Sequence, residues 1–321
     1  MASLATAVLA VVLVLAAMPS AAQTFPSRPI RLIVPYAPGG SPDTLARVLG
    51  QAVGESFGQQ VIIENRPGGA GIPAAEAVMR ATPDGYTLLV ADSSVYAITP
   101  NVRAKPPFDP LRDFIPISHS VNSPLLLVVN AGLPVQTFRE FLAYAKAKPG
   151  LAFGSSGNAT AHHLAMEMLR TLGGLEFTHV PYKGAGQSVP AVVAGDVAAL
   201  FAAIPAVGGH AKAGKVRILG IFSPTRSPSA PDIATLSEAG LPGCELTITI
   251  GFHAPARTPP EIVTRLSDQF VRAMKVPAVR ERMGNLQFDL VGTGAEAYAE
   301  TIRGELLSYG KLIKAAGVRV D

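Results

Sequence analysis

The sequence has no tryptophan, only one cysteine and no run of basic residues in its 321 positions. A single cysteine, Cys244, excludes an intramolecular disulfide, so the fold depends on its apolar core. Singly scattered basic residues and the lack of tryptophan argue against nucleic-acid binding, although a net charge of +4 mildly favours anionic partners. The histidine spacings do not match a metal site.

Beyond residue 22 the sequence also lacks an apolar run long enough to cross a membrane. Leu4 to Ala17 has the length of a signal-peptide core, and Ser20-Ala21-Ala22 supplies small residues for cleavage. We therefore predict that residues 1–22 are a signal peptide, cleaved near Ala22, and that the mature protein is periplasmic. An uncleaved membrane anchor is the alternative, because the first residues contain no Lys or Arg.

A strand that runs through a glycine turn into a helix is the central feature of the sequence. Ile30 to Val34 is apolar and β-branched, as in a strand covered on both faces, and Thr44 to Phe57 is predicted as a helix with Ser41 at its N-cap. Gly39 and Gly40 lie between them, and glycines let a ligand approach free backbone N–H groups. Taken alone, the turn also fits a simple strand-to-helix connection.

The remaining segments alternate between short strands and helices, which indicates an α/β fold. We predict two lobes joined by two extended crossings: residues 23–123 and 250–321 form one lobe, and residues 124–249 form the other. After a proline-rich connection from Pro100 to Pro116, the second lobe is predicted to begin with a strand from Leu125 to Asn130. Val197 to Ile204 is predicted as a later strand. Strand-end loops at 36–41, 92–94, 155–160 and 182–186 are candidate ligand contacts.

Two enzyme motifs are matched only incompletely. Gly69 to Ala74 fits a dinucleotide-binding pattern, with Asp92 at roughly the expected distance, but Pro73 interrupts it. Gly154 to Asn158 lacks the last glycine of a serine-hydrolase elbow, and His163 is better explained as a residue that supports a helix start. We therefore predict no catalytic residues, no cofactor and no bound metal, and keep an exported hydrolase or a dinucleotide-binding enzyme as weaker alternatives.

A series of motifs spans Phe25 to Asp321. These motifs are Pro26 to Ile30, Val34 to Gly40 with Asp43, Glu64 to Gly68, Pro83 to Leu89, Ser156 to Asn158 with Thr160 and His163, His179 to Gly184, Ala213 to Lys215, and Glu238 to Gly243. In content and order they resemble the substrate-binding proteins of tripartite tricarboxylate transporters, the Bug-type receptors.

The resemblance implies a two-lobed, type II periplasmic binding protein fold. It also implies a monomeric receptor that closes over a small carboxylate and delivers it to the membrane subunits of a transporter. A receptor that presents its ligand to a membrane sensor is the alternative. The ligand-binding residues implied are Tyr36, Pro38, Gly39, Gly40, Ser41, Asp43, Ser93 and Ser94 on one lobe, and Ser155, Ser156, Asn158, Ala159, Thr160, Tyr182 and Ala203 on the other. Asp43 is equally consistent with a helix-dipole partner.

The sequence departs from the family at two strands. Ala198 to Ile204 has no polar side chain, whereas the family usually carries aspartates there, and Ile248 to His253 lacks the family's frequent tryptophan. We therefore expect a ligand with one carboxylate and a less polar far end, rather than citrate or an amino acid.

Overall fold

The computed structural model describes residues 25–316 and 318, so the predicted signal peptide lies outside the described residues. Within this range a mixed ten-stranded sheet is flanked by helices, which confirms the predicted α/β class. Among the described residues, no helix combines the length and the apolar character needed to cross a membrane.

The strands are β1 (Ile30–Val34), β2 (Val61–Asn65), β3 (Thr87–Asp92), β4 (Phe114–Asn130), β5 (Leu151–Ser155), β6 (Phe177–Pro181), β7 (Ala199–Ala203), β8 (Val216–Phe222), β9 (Thr247–Pro255) and β10 (Asp289–Gly294). The helices are α1 (Ser41–Phe57), α2 (Ile72–Met79), α3 (Thr99–Val102), α4 (Phe138–Ala147), α5 (Ala161–Gly173), α6 (Ala185–Ala194), α7 (Ile204–Lys212), α8 (Pro260–Ala273), α9 (Pro277–Asn285) and α10 (Ala295–Ala316). A 3₁₀ turn (Gly69–Gly71) precedes α2, and a π-helical turn (Ser94–Ile98) follows β3.

The strand order is β2-β1-β3-β9-β4-β7-β5-β6, and β8 and β10 also pair with β4. At one end β1 pairs in parallel with β2 and β3, and at the other end β5 pairs in parallel with β6 and β7. The central pairings between β3, β9, β4 and β7 are antiparallel. The sheet therefore has a parallel unit on each side, and each unit ends in strand-to-helix turns.

Strand β4 runs through both halves of the sheet. Its residues up to Pro124 pair with β9, and those from Leu125 onward pair with β7 and β8. The strand predicted at Leu125–Asn130 is therefore the end of a longer strand, which begins at Phe114 within the predicted proline-rich connection. The start of the strand was predicted too late because Pro116 was expected to interrupt it. The structure instead accommodates this proline beside a register shift within the strand. The exact limits of the two lobes stay a prediction.

Three of the labelled elements were not predicted: α3, at the start of the predicted proline-rich connection, α7 and β10. The strand expected at Val197–Ile204 is confined to Ala199–Ala203, and α7 begins at Ile204 with a proline in its first turn. The apolar sequence of this helix start gave no helical periodicity that would separate it from the strand. Strand β10, which was also missed, is an antiparallel partner of β4 and includes Gly292 at φ +68°.

The core fixes the start of α1 over the end of β1. Ile30, Leu32 and Val34 of β1 are almost fully buried, as are Leu45 and Leu49 on the inner face of α1. Burial of each of these leucines contributes roughly 2 kcal/mol. The turn between β1 and α1 is thus attached to a rigid support on both sides.

Candidate ligand-binding site

Asp43 organises the turn between β1 and α1. Its carboxylate accepts hydrogen bonds from Gly39 N–H (3.0 Å), Asn65 Nδ2 (2.9 Å) and two nitrogens of Arg47 (3.0 Å each). Asn65 also donates to the Tyr36 carbonyl, which ties β2 to the turn. Burial acts to raise the pKa of Asp43, but the hydrogen bonds from Arg47, Gly39 and Asn65 outweigh it and lower the pKa. Both carboxylate oxygens are therefore engaged within the protein.

The start of α1 offers backbone donors. The N-cap is Gly40 and makes no side-chain cap, so the prediction of Ser41 at this position is wrong by one residue. The Ser41 hydroxyl instead accepts a hydrogen bond from Ser123 of β4 (3.0 Å). Among the described residues, none accepts a hydrogen bond from the N–H groups of Gly40 or Ser41. Free N–H groups at the positive end of a helix favour an anion.

Asp92, at the end of β3, is an acidic residue that lines the site. Its Oδ1 accepts hydrogen bonds from the Tyr36 hydroxyl (2.8 Å) and the N–H groups of Ser94 (3.0 Å) and Val95 (3.3 Å). Burial raises the pKa of Asp92 to about 6, although the hydrogen bonds from Tyr36, Val95 and Ser94 act to lower it. The sequence interpretation included Asp92 in the candidate loop 92–94 and weighed it for dinucleotide binding, but did not name it among the ligand-binding residues.

On the opposite side, the loop after β5 holds Ser156. Ser155 is fixed by His179 Nε2 (2.6 Å) and by Gly157 N–H (3.0 Å). Thr160 caps α5 by accepting from His163 N–H (3.3 Å) and donates to the Gly157 carbonyl (2.7 Å). The Ser156 hydroxyl between them is buried and makes no hydrogen bond with the described residues. The loop therefore presents one unpaired hydroxyl.

The two sides touch each other. Ser94 Oγ accepts a hydrogen bond from Ala161 N–H at the start of α5 (2.9 Å). Ala37 N–H donates to the Lys183 carbonyl (3.0 Å). Gly186 lies against Pro38 so closely that a Cβ atom on Gly186 would be 2.0 Å from the Pro38 carbonyl oxygen. In this structure the turns of the two sides are closed over the space between them.

Two cavities lie between these turns. The inner cavity has a volume of about 20 Å³, enough for about one water molecule. Its polar lining is Tyr36, Ser41, Asp92, Ser123, Ser156 and His162, and its other lining residues are Gly40, Pro42, Ala185, Ala203, Ala206, Ile248 and Ile250. The outer cavity, of about 370 Å³, is lined by Pro35, Tyr36, Gly68, Gly69, Ala70, Gly71, Arg103, Ser156, Gly157, Asn158, Pro181, Tyr182 and Lys183.

The predicted site residues therefore divide into those that line the inner cavity, those that line only the outer cavity and those that line neither. Tyr36, Gly40, Ser41, Ser156 and Ala203 line the inner cavity, and Asn158 and Tyr182 line the outer one. Pro38, Gly39, Asp43, Ser93, Ser94, Ser155, Ala159 and Thr160 line neither cavity, and of these Gly39, Asp43, Ser94, Ser155 and Thr160 make the contacts described above that hold the turns. Sequence reasoning missed Pro42, Ser123, His162, Ala206, Ile248 and Ile250, and it included Asp92 and Ala185 only as members of candidate loops.

His162 is a buried side chain of the inner cavity. Burial lowers its pKa to about 4, so the imidazole is neutral near pH 7. No hydrogen bond joins its ring to the part of the chain that the structure describes, and its Nδ1 is fully enclosed. The described lining of the inner cavity thus contains no cationic side chain.

A buried polar network anchors α10 beneath this site. Glu305 accepts hydrogen bonds from the hydroxyls of Tyr96 (2.7 Å) and Thr249 (2.8 Å), and burial raises its pKa to about 7. Tyr309 donates to Ser93 Oγ (3.2 Å) and also contacts the Thr247 carbonyl. The helix is thereby connected both to the end of β3 and to the β9 strand.

Comparison with known proteins identifies the architecture. The chain is 28% identical to the periplasmic binding protein BugD, with a TM-score of 0.88 over 92% of this chain and 99% of that one. An R. palustris protein solved with adipate has 30% identity and a TM-score of 0.88, covering 92% and 99% of the two chains. MatC from Rhodopseudomonas palustris, solved with bound malate, has 29% identity and a TM-score of 0.85, covering 90% and 100%. The two-lobed periplasmic binding protein fold predicted from the sequence is confirmed.

Sequence relatives give the same assignment. A UPF0065 protein encoded in the gbd 5′ region of Cupriavidus necator is 38% identical over 305 residues, which cover 93% of this chain and 92% of the relative. The protein BugT of Bordetella pertussis is 36% identical over 267 residues, covering 83% and 82%. The profile of the family described as "Tripartite tricarboxylate transporter family receptor" matches residues 45–318. This chain therefore belongs to the tripartite tricarboxylate transporter receptor family, as its motifs predicted.

Proposed function

We propose that this protein is a periplasmic receptor that captures a small organic carboxylate between its lobes and delivers it to the membrane subunits of a tripartite tricarboxylate-type transporter, without catalysis. The main support is that hydrogen-bond donors of two kinds, backbone N–H groups and a hydroxyl, lie on opposite sides of the inner cavity. Within the part of the chain that the structure describes, the backbone N–H groups of Gly40 and Ser41 and the buried hydroxyl of Ser156 have no hydrogen-bond partner. Such donors form charge-assisted hydrogen bonds with a carboxylate.

Ligand capture requires the two sides to separate and close again. The inner cavity holds about one water, so an organic acid enters only if contacts such as Ala37 to Lys183 and Ser94 to Ala161 open. A bound ligand then favours the closed form to the extent that it binds that form better than the open one. We further propose that residues 1–22 direct export and are removed.

The ligand class follows from the lining and from the relatives. Adipate and malate, found with two related proteins, are small carboxylates. In this chain the inner wall contributed by Ala203, Ala206, Ile248 and Ile250 is apolar. We propose that one carboxylate binds at the helix-start turns while the rest of the ligand packs against this wall.

A thermal-shift screen against monocarboxylates, dicarboxylates, citrate and amino acids tests the receptor function. A ligand at a hundred times its Kd stabilises the folded state by about 2.7 kcal/mol, which raises the Tm by roughly 4 °C for a chain of this size. We expect such a shift for at least one acid, and a much smaller shift with Ser156→Ala. No shift with any carboxylate would refute the proposal. Delivery is tested by producing the protein in cells that lack their own receptor. Uptake of the labelled acid should then be restored.

A further inference from the structure

The inner cavity contains a negative group at a site proposed to bind an anion. Asp92 is 2% exposed and lines the cavity. Tyr36, Ser94 and Val95 together donate three hydrogen bonds to Oδ1, whereas none of the described residues donates to Oδ2. Because Asp92 lines the cavity and a carboxylate oxygen accepts more than one hydrogen bond, Oδ2 can accept one from a group inside the cavity.

The surroundings do not neutralise this carboxylate. The described lining has no lysine or arginine, and His162 is neutral near pH 7. Arg47 of α1 donates hydrogen bonds to both oxygens of Asp43 and is therefore already paired. A ligand that placed a second carboxylate beside Asp92 would therefore meet a like charge with no cationic side chain to compensate.

The register of the sheet sets Asp92 beside an apolar surface. Asp92 of β3 is paired with Ile250 of β9, and Ser123 of β4 is paired with Ile248. All four residues line the inner cavity. An aliphatic chain can thus lie along the isoleucines while a polar substituent reaches the end of β3.

We propose that Asp92 is a specificity-determining residue: it selects acids with a single carboxylate that also carry a hydroxyl or ammonium donor for Oδ2, and it disfavours a second carboxylate at that end. The inference rests on the proposed function, since the first carboxylate is taken to bind at the helix-start turns. It retains the expectation of one carboxylate. It adds one polar donor to the less polar far end that the sequence led us to expect, and amino acids are no longer set aside.

Protonation of Asp92 provides an independent test. Because burial raises its pKa to about 6, acidification turns Asp92 into a neutral donor that can accept a second carboxylate as a neighbour. Among the described residues, the titratable groups that interact with Asp92 are Tyr36, Tyr298, Glu305 and Tyr309. Tyr96 and His253 contact Tyr298, and His162 lines the facing wall of the cavity. Glu305 titrates near pH 7, so a variant of Asp92 is needed to isolate its contribution.

The experiment is calorimetric titration with matched acids. One set consists of butanoate, succinate and the butanoates with a terminal hydroxyl or amino group, and a longer set is built on hexanoate and adipate. At about pH 8 we expect the better of the hydroxy and amino acids to bind at least ten-fold more tightly than the dicarboxylate of equal length. Asp92→Asn, which removes the charge but keeps an acceptor for Tyr36, should reduce that preference about ten-fold or more. Comparing the hydroxy acid with the amino acid identifies which ligand group donates to Asp92 Oδ2.

The pH dependence is measured on the wild-type protein, and Asp92→Asn then separates the contribution of Asp92 from that of Glu305. If only protonated Asp92 tolerates a dicarboxylate, wild-type affinity for it should rise by one to two orders of magnitude between about pH 8 and about pH 5.5, and rise less in Asp92→Asn. The ligand's own titration is the same in both proteins. A dicarboxylate preferred at pH 8, with no change in Asp92→Asn and no pH dependence, would overturn this inference alone. Failure of every acid to bind would overturn the receptor function as well.

Discussion

Gly186→Ala should weaken ligand binding by about ten- to a hundred-fold while leaving the unfolding of the unliganded protein nearly unchanged. The added Cβ would lie 2.0 Å from the Pro38 carbonyl oxygen and 3.2 Å from its carbon, so the two turns could not approach as they do here. Overpacking of this kind typically costs 1–3 kcal/mol, so the closed form would be destabilised by about that amount. In the separated form, alanine in the first turn of α6 is at least as favourable as glycine. Calorimetric titration and thermal unfolding measure the two quantities.

Gly209→Ala is a matched control for this variant. Gly209 lies in α7, and a Cβ there would meet no atom within 4 Å, so the same substitution should leave affinity unchanged. Wild-type affinity in Gly186→Ala would show that the turns do not meet in the ligand-bound state. An equal loss of stability with and without ligand would show that the contact is a permanent part of the core.

Asp43→Ala should destabilise the protein by about 3 kcal/mol and also abolish tight ligand binding. The substitution leaves the Gly39 N–H and the Asn65 amide without the buried carboxylate that accepts from them, and breaking a buried charge pair typically costs 3–5 kcal/mol. We take the lower end because the Arg47 side chain is half exposed. The loss of the Gly39 contact also frees the donors of Gly40 and Ser41 from their fixed positions. Urea denaturation and calorimetry measure both effects.

The pH dependence distinguishes the charge of Asp43 from its size. The hydrogen bonds lower the pKa of Asp43 below 3.8, so its stabilising contribution is fully present above that pH and is lost as the pH falls through the lower, folded-state value. The stability difference between the wild type and Asp43→Asn should therefore shrink in strong acid. A variant that binds ligand normally at neutral pH would contradict the organising role of Asp43.

Local chemistry was sufficient to predict the turns of the site. Gly39, Gly40 and Ser41 follow an apolar strand, and Thr160 precedes an amphipathic helix, so both turns were recognisable from turn residues and periodicity. The N-cap was misplaced by one residue because Ser41 looked like the better cap. Asp43 remained ambiguous from sequence because its partner Asn65 belongs to the next strand.

The part of the inner cavity that the sheet contributes could not be predicted in this way. Asp92, Ser123, Ile248 and Ile250 are brought together by antiparallel pairing across β3, β9 and β4, and the sequence contains no local signal for that register. Only the alternation of Ile248 and Ile250 suggested that they share one face of a strand. His162 was overlooked because a histidine in a first helical turn is usually solvated or structural.

The most direct test of the two-sided site is a crystal structure of the protein with the tightest-binding acid from the screen. We predict that one ligand carboxylate lies within hydrogen-bonding distance of the N–H groups of Gly40 and Ser41 and of the Ser156 hydroxyl, between the closed turns. A ligand bound wholly in the outer cavity or on the outside of either lobe, with these donors still unpaired, would contradict the account.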